Sequence, residues 1–119
     1  MVPKSKRSQH ISRVPVHDIE SAPPGSRDPL TREAERVGKV INIFGGMANS
    51  PTLMEMYDLV ETHLPKNSNL DGATREAIHL TVAAVNDCDY CQAAYTGAAR
   101  AVGFEEAETV QIRHGLVDG

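Results

Sequence analysis

Between Asp71 and Gly103 the chain has few folds open to it. Two stretches of helical periodicity meet at Asn86-Asp87, with no proline in either and a glycine closing the second. The first runs from Gly72 to about Val85, with Asp71 as its N-cap. Its apolar residues (Ala73, Ala77, Ile78, Leu80, Val82, Ala83, Ala84 and Val85) cover most of the circumference, the pattern of a central helix. The second takes Asp87 as its cap, continues through Ala93, Ala94, Ala98 and Val102, and stops at Gly103, a natural C′ residue. Helices joined by so short a link fold back antiparallel. Position 79 then faces position 95, and position 76 faces position 98.

The other segments are also predicted to be helical. Pro29 to about Val40 reads as a helix, with Leu30, Ala34, Val37 and Ile41 at helical spacing and Gly38 weakening its end. Ile41, Ile43, Phe44 and Met47 surround Gly45-Gly46 in a short helical turn. Ser50-Pro51 opens a further helix, with Ser50 as the cap, and Pro65 is predicted to close it. A last helix starts near Glu105 and ends at Gly115, with acids in its first turn and Arg113 and His114 in its last. No segment alternates with period two. Aromatics make up 4% of the residues, so the interior is poor in large side chains and suits closely packed helices. The predicted fold is all-α, a compact antiparallel helical bundle. Residues 1–28, rich in proline, are predicted to be an extended or disordered arm, and residues 29–119 the helical domain. A domain of that size buries a marginal core without a partner chain.

The formal net charge of −4 is mild and argues against nucleic acid as a partner. Residues 1–13 hold Lys4, Lys6, Arg7 and Arg13 and no acid, so the remainder carries eight basic against sixteen acidic side chains. The basic head reads as a solvated tail, with a localisation signal as the weaker alternative. No apolar run is long enough for a membrane helix. A cytoplasmic location and no membrane partner are expected. In a reducing compartment, a lone Cys-x-x-Cys is more often catalytic or metal-binding than a structural staple.

Both cysteines of the protein, Cys88 and Cys91, fall on the first turn of the second hairpin helix. Residues i and i+3 of a helix are about 5 Å apart, within the Cα separation of a disulfide. The pair can therefore cycle between dithiol and disulfide with little backbone movement. The helix N-terminus favours thiolate, whereas Asp87 and Asp89 oppose it. The alternatives are two small buried side chains, or half of a zinc site whose other ligands are not at recognisable spacings among the histidines. Glu76 stands twelve residues before Cys88, near Tyr95 once the hairpin closes. It is either a first-turn acid favoured by the helix dipole or part of a proton-handling set with the thiols. Tyr95, one turn past Cys91, is either a packed aromatic or a hydroxyl directed at that sulfur.

Thr74-Arg75-Glu76-Ala77-Ile78-His79-Leu80-Thr81-Val82-Ala83 resembles the carboxymuconolactone decarboxylase family. So do Asn86-Asp87-Cys88-Asp89-Tyr90-Cys91-Gln92-Ala93-Ala94-Tyr95-Thr96, Gly103-Phe104 and Ile112-Arg113-His114-Gly115. The closer resemblance is to the alkyl hydroperoxidase D-like branch, and it spans roughly residues 11–115. It implies an all-helical fold and homo-oligomers, often trimers or hexamers. It also implies reduction of hydroperoxides by the cysteine pair, with Cys91 as the peroxidatic cysteine, Cys88 as the resolving one and Glu76 as the relay carboxylate. An external dithiol reductant is implied as partner, and no cofactor or metal. Relatives usually place His four residues after the second Cys, where this chain has Tyr95. A tyrosine is a poor base at neutral pH but donates a hydrogen bond to a thiolate. His79, opposite position 95, is either a polar residue on an exposed or interface face, the favoured reading, or the source of an imidazole from the facing helix. Relatives also extend past the Ile-Arg-His-Gly stretch, so the expectation is a short member that buries its open face in an oligomer, or a fragment. Besides the peroxidase, two functions are consistent with these residues: a non-catalytic redox-sensing or degenerate module, and, less favoured by the intact cysteine pair, a carboxymuconolactone decarboxylase.

Overall fold

The computed structural model describes residues 12–116. The basic residues Lys4, Lys6 and Arg7 therefore lie outside the described part. Six helices follow one another: α1 (Pro24–Val37), α2 (Asn42–Met47), α3 (Pro51–Asn67), α4 (Gly72–Val85), α5 (Asp89–Ala101) and α6 (Glu106–His114). No strand occurs among the described residues, so the chain is all-α. It divides into two units between Leu64 and Pro65.

The first unit is built on a core of Ala22, Leu30, Phe44, Ala48 and Met54, with Val40, Ile41, Met47 and Tyr57 packed against it. Helix α1 starts at Pro24, five residues before the position that spacing predicts, and runs through Pro29. Both prolines suit a first turn, so local rules do not choose between them. The earlier start buries Ser26, Pro29 and Leu30 together, and Arg27 donates to the carbonyls of Ala22 and Glu20 just ahead of the helix. Gly38 ends α1 at φ 94°, in the left-handed region.

Residues 15–17 lie along α2. The His17 N–H donates to Gly45 O at 3.1 Å, and Asn49 Nδ2 donates to Pro15 O at 2.7 Å. A Cβ on Gly45 would stand 2.5 Å from His17 O, so this approach requires glycine. Ser50 caps α3 by accepting from the Leu53 N–H at 3.3 Å. Ion pairs tie α1 to α3: Arg32 to the buried Asp58 at 2.7 Å, and Arg36 to Glu61 at 3.7 Å. Hydrogen bonding to Asp58 raises the pKa of Arg32. Arg36 also holds the buried Glu33 carboxylate.

Pro65 does not close α3, which continues to Asn67. Removing one N–H near a helix end weakens the ladder without ending it. In the second unit α4, α5 and α6 all pack on one another. Leu80 and Ala83 of α4, Ala99 of α5 and Thr109 and Ile112 of α6 are buried. Asp71 caps α4, accepting from the Thr74 N–H at 2.7 Å, and this bond lowers its carboxyl pKa. Gly103 and Gly115 end α5 and α6 with positive φ, and Glu105 and Glu108 form a capping box on α6. Helix α4 is less enclosed than its apolar circumference predicts. Ile78, Val82 and Val85 remain 46%, 52% and 81% exposed.

Candidate functional site: the cysteine pair on helix α5

The site begins at the corner between α4 and α5. The Asp87 N–H donates to Ala84 O at 3.0 Å, and the Cys88 N–H donates to Ala83 O at 3.1 Å. These two bonds form a Schellman closure, which needs a left-handed residue at its centre. Asp87 fills that place at φ 50° and is the sole non-glycine residue with positive φ among those described. Asp87 is therefore not the cap that the sequence predicts, because the corner occupies its backbone. The N-cap moves one residue on, to Cys88. Its Sγ accepts from the Cys91 N–H at 3.2 Å, while its carbonyl accepts the first helical bond from Gln92 at 2.9 Å. Cap preferences do not rank Cys above Asp, so this role was not visible in the sequence.

Cys88 and Cys91 are joined as a disulfide, with their Cα atoms 5.3 Å apart. Both are half-buried. The separation agrees with the one expected from their position on a single helical turn. The helix dipole and the adjacent N–H groups present positive potential to this end of α5. Asp89, in the same turn, presents negative charge.

Helices α4 and α5 pair in the predicted register. The His79 and Tyr95 rings face each other, with centroids 4.7 Å apart and planes inclined by 32°. His79 Nδ1 lies 3.4 Å from Glu76 Oε2, one turn back along α4. Glu76, His79 and Tyr95 are thus contiguous, and Tyr95 leads along α5 to Cys91, one turn nearer the N-terminus. The same register sets the small, buried Ala83 level with Cys91.

One further polar group escaped the sequence reading. Thr96 Oγ1 is buried on α5 without a hydrogen-bond partner. An open groove lined by Gly97, Arg100, Ala101, Gly103, Phe104 and Glu105 lies at the C-terminal end of α5, away from the cysteines. Among the described residues no group of three or more His, Cys, Asp or Glu side chains is placed to hold a metal ion. No helix among them is long and apolar enough to cross a membrane.

Residues 51–117, more than half of the chain, match the carboxymuconolactone decarboxylase family. The chain belongs to that family. The matched stretch runs from the first residue of α3 beyond the end of α6 and includes both cysteines, Glu76, His79 and Tyr95. No curated protein and no solved structure matches the chain.

Proposed function

We propose that this family member is a thiol-dependent peroxidase of the alkyl hydroperoxidase D-like kind, reducing hydroperoxides through Cys88 and Cys91. The observation that carries this reading is the pair itself. Two cysteines sit at disulfide separation on the first turn of α5, beside the Glu76–His79–Tyr95 set. The Cys91 thiolate attacks one peroxide oxygen, the O–O bond breaks, and the alkoxide leaves and takes a proton. Cys91 becomes a sulfenic acid. The Cys88 sulfur then attacks the Cys91 sulfur, water leaves, and the disulfide forms. An external dithiol returns the pair to the reduced state, with no bound cofactor in the cycle. Glu76 serves as the relay carboxylate, and Tyr95 donates a hydrogen bond to the thiolate.

The working form in this proposal is a cytoplasmic homo-oligomer, a trimer or hexamer. The exposed Ile78, Val82 and Val85 support self-association, because a run of apolar side chains at helical spacing gains by leaving water. Tyr95, where relatives carry His, favours a second reading, a redox-responsive module without turnover. Thiol titration tests both readings, and turnover separates them. A small excess of an organic hydroperoxide should remove two thiols per chain, and Cys91→Ser should abolish the loss. Sustained peroxide consumption with a dithiol reductant identifies the enzyme, and a single oxidation without turnover identifies the module. Thiols that survive the peroxide would refute both readings.

A further inference from the structure

The disulfide stands at a corner of one electrostatic sign. Residues 76–99 hold Glu76, Asp87 and Asp89 and no Lys or Arg. Asp87 and Asp89 flank Cys88 in the chain. Both are exposed, and neither forms an ion pair with a described residue. The basic side chains of the second unit are engaged elsewhere. Lys66 lies in the last turn of α3, Arg75 donates to Leu70 O near the start of α4, and Arg100 pairs with Glu106 at the end of α5. At a rise of about 1.5 Å per residue, Arg75 and Arg100 lie about 15 Å along their helices from the corner. That exceeds the Debye length of about 8 Å at physiological ionic strength. On α6, Arg113 donates to Thr109 O of its own helix, and His114 is in the last turn. The positive end of the α5 dipole meets the negative end of the α4 dipole here, so the two offset each other. The carboxylates of Asp87 and Asp89 therefore set the sign of the potential at the sulfurs.

Tyr90, between the two cysteines, keeps 49% of its surface exposed, while Cys88 and Cys91 are half-buried. A phenol ring attracts cations to its face, so the aromatic and the two carboxylates select the same charge. The ring also offers apolar area that a protein surface covers better than a small thiol does.

We propose that Asp87, Asp89 and Tyr90 form a docking surface around the disulfide for a dithiol carrier protein that presents Lys or Arg beside its own thiols. An attacking thiolate is itself negative, and two carboxylates oppose its approach unless a neighbouring cation compensates. The carrier thiolate bonds to one sulfur of the pair, the Cys88–Cys91 bond breaks, and the other sulfur leaves as a thiolate that takes a proton. The second carrier thiol loses its proton and attacks the mixed disulfide, which frees the remaining cysteine. Two electrons and two protons pass to the protein, and the carrier departs as a disulfide. The inference rests on the dithiol reading above for its need of a reductant, and its test uses no peroxide.

The experiment starts from the oxidised full chain and follows its reduction by three two-carbon thiols that differ in their end group. They are cysteamine with an ammonium, 2-mercaptoethanol with a hydroxyl and 3-mercaptopropionate with a carboxylate. Free thiols are counted by mass spectrometry after alkylation, and rates are expressed per thiolate, because the three reagents ionise differently. Each unit of positive charge should speed reduction about fivefold at low ionic strength and less than about twofold at 1 M salt. Asp87→Asn combined with Asp89→Asn should narrow the spread at low salt in the same way, since asparagine tolerates the left-handed backbone of position 87. Equal rates, or a spread that the double variant leaves intact, would overturn the proposal. Two synthetic dithiol peptides then stand in for the carrier, with lysines or with glutamates on both sides of a Cys-x-x-Cys. The lysine peptide should react about tenfold faster per thiolate, and Tyr90→Ser should lower that advantage about twofold. Peptides of equal rate would overturn the docking surface even where the small thiols sort by charge, and an advantage unmoved by Tyr90→Ser would overturn the role of Tyr90. The expected rates together with a failed peroxide titration would leave the surface assigned and refute only the peroxidase.

Discussion

Gly45 and Gly46 are neighbours in α2, and alanine is predicted to act on them with opposite sign. At Gly45 the new Cβ would lie 2.5 Å from His17 O, 2.8 Å from Val16 Cγ1 and 3.1 Å from His17 N. Two of these three are backbone atoms, so no rotamer change relieves the clash and residues 15–17 must lift away from α2. Three contacts depend on that segment: His17 N–H to Gly45 O at 3.1 Å, Asn49 Nδ2 to Pro15 O at 2.7 Å, and His17 Nε2 to Asn49 Oδ1 at 3.0 Å. At about 0.5–1.5 kcal/mol each, their loss is worth about 2–4 kcal/mol. The helical preference of alanine over glycine returns about 0.5–1 kcal/mol. The net destabilisation expected for Gly45→Ala is therefore about 2 kcal/mol. At Gly46 a Cβ meets nothing within 4 Å, so only the helical gain remains. The two variants should differ by about 3 kcal/mol, or roughly 10–20 °C in Tm for a domain of this size. Urea and thermal unfolding followed by circular dichroism measure the difference. Refutation would be two variants that move in the same direction, or a Gly45→Ala protein within about 0.5 kcal/mol of wild type, the usual range of neutral surface changes.

Asp71 gives a pH prediction. Its carboxyl pKa is lowered by the Thr74 N–H it accepts, so its contribution is present above the unfolded-state value and lost as pH falls through the folded one. Asp71→Asn keeps an acceptor at the cap and should flatten the acid limb of stability between about pH 5 and 2. An unchanged acid limb in urea titrations would contradict the assignment. At the α4–α5 corner, Asp87→Gly should match or exceed wild-type stability, because φ 50° costs glycine nothing. Asp87→Val should lose about 1–2 kcal/mol there, and the reverse order in urea unfolding would count against the Schellman closure.

Punctuation residues made much of this fold legible. Ser50-Pro51, Asp71, Gly103 and Gly115 each mark a helix end that the structure reproduces within about a residue. The antiparallel pairing of positions 79 and 95 followed from the short link alone. Where two local rules competed, tertiary packing decided, and the sequence did not show how. Pro24 and Pro29 are equally good first-turn prolines, and burial of Ser26 and Leu30 selects the earlier one. Asp87 satisfies both a cap preference and a tolerance for left-handed backbone, and the corner uses the second. Pro65 looked like a terminator, yet a helix near its end tolerates one missing donor. The cysteine pair and its acid were legible as residue types at fixed spacing. The contact of His79 with Glu76 is an i, i+3 relation visible on a helical wheel, but its packing on Tyr95 needed the hairpin to close.

Because Cys88 Sγ is the side-chain atom that caps α5, one sulfur of the disulfide is also part of the scaffold. Serine and alanine are therefore unequal as redox-silent replacements at this position. Serine leaves an oxygen acceptor for the Cys91 N–H, and a better one than sulfur, whereas alanine strips the acceptor away and lets the first turn fray. Any activity lost in an alanine variant mixes missing chemistry with a loosened platform beneath Cys91. An adduct on Cys88 does the same from outside. Whatever occupies that sulfur is transmitted to the backbone of the turn that holds its partner.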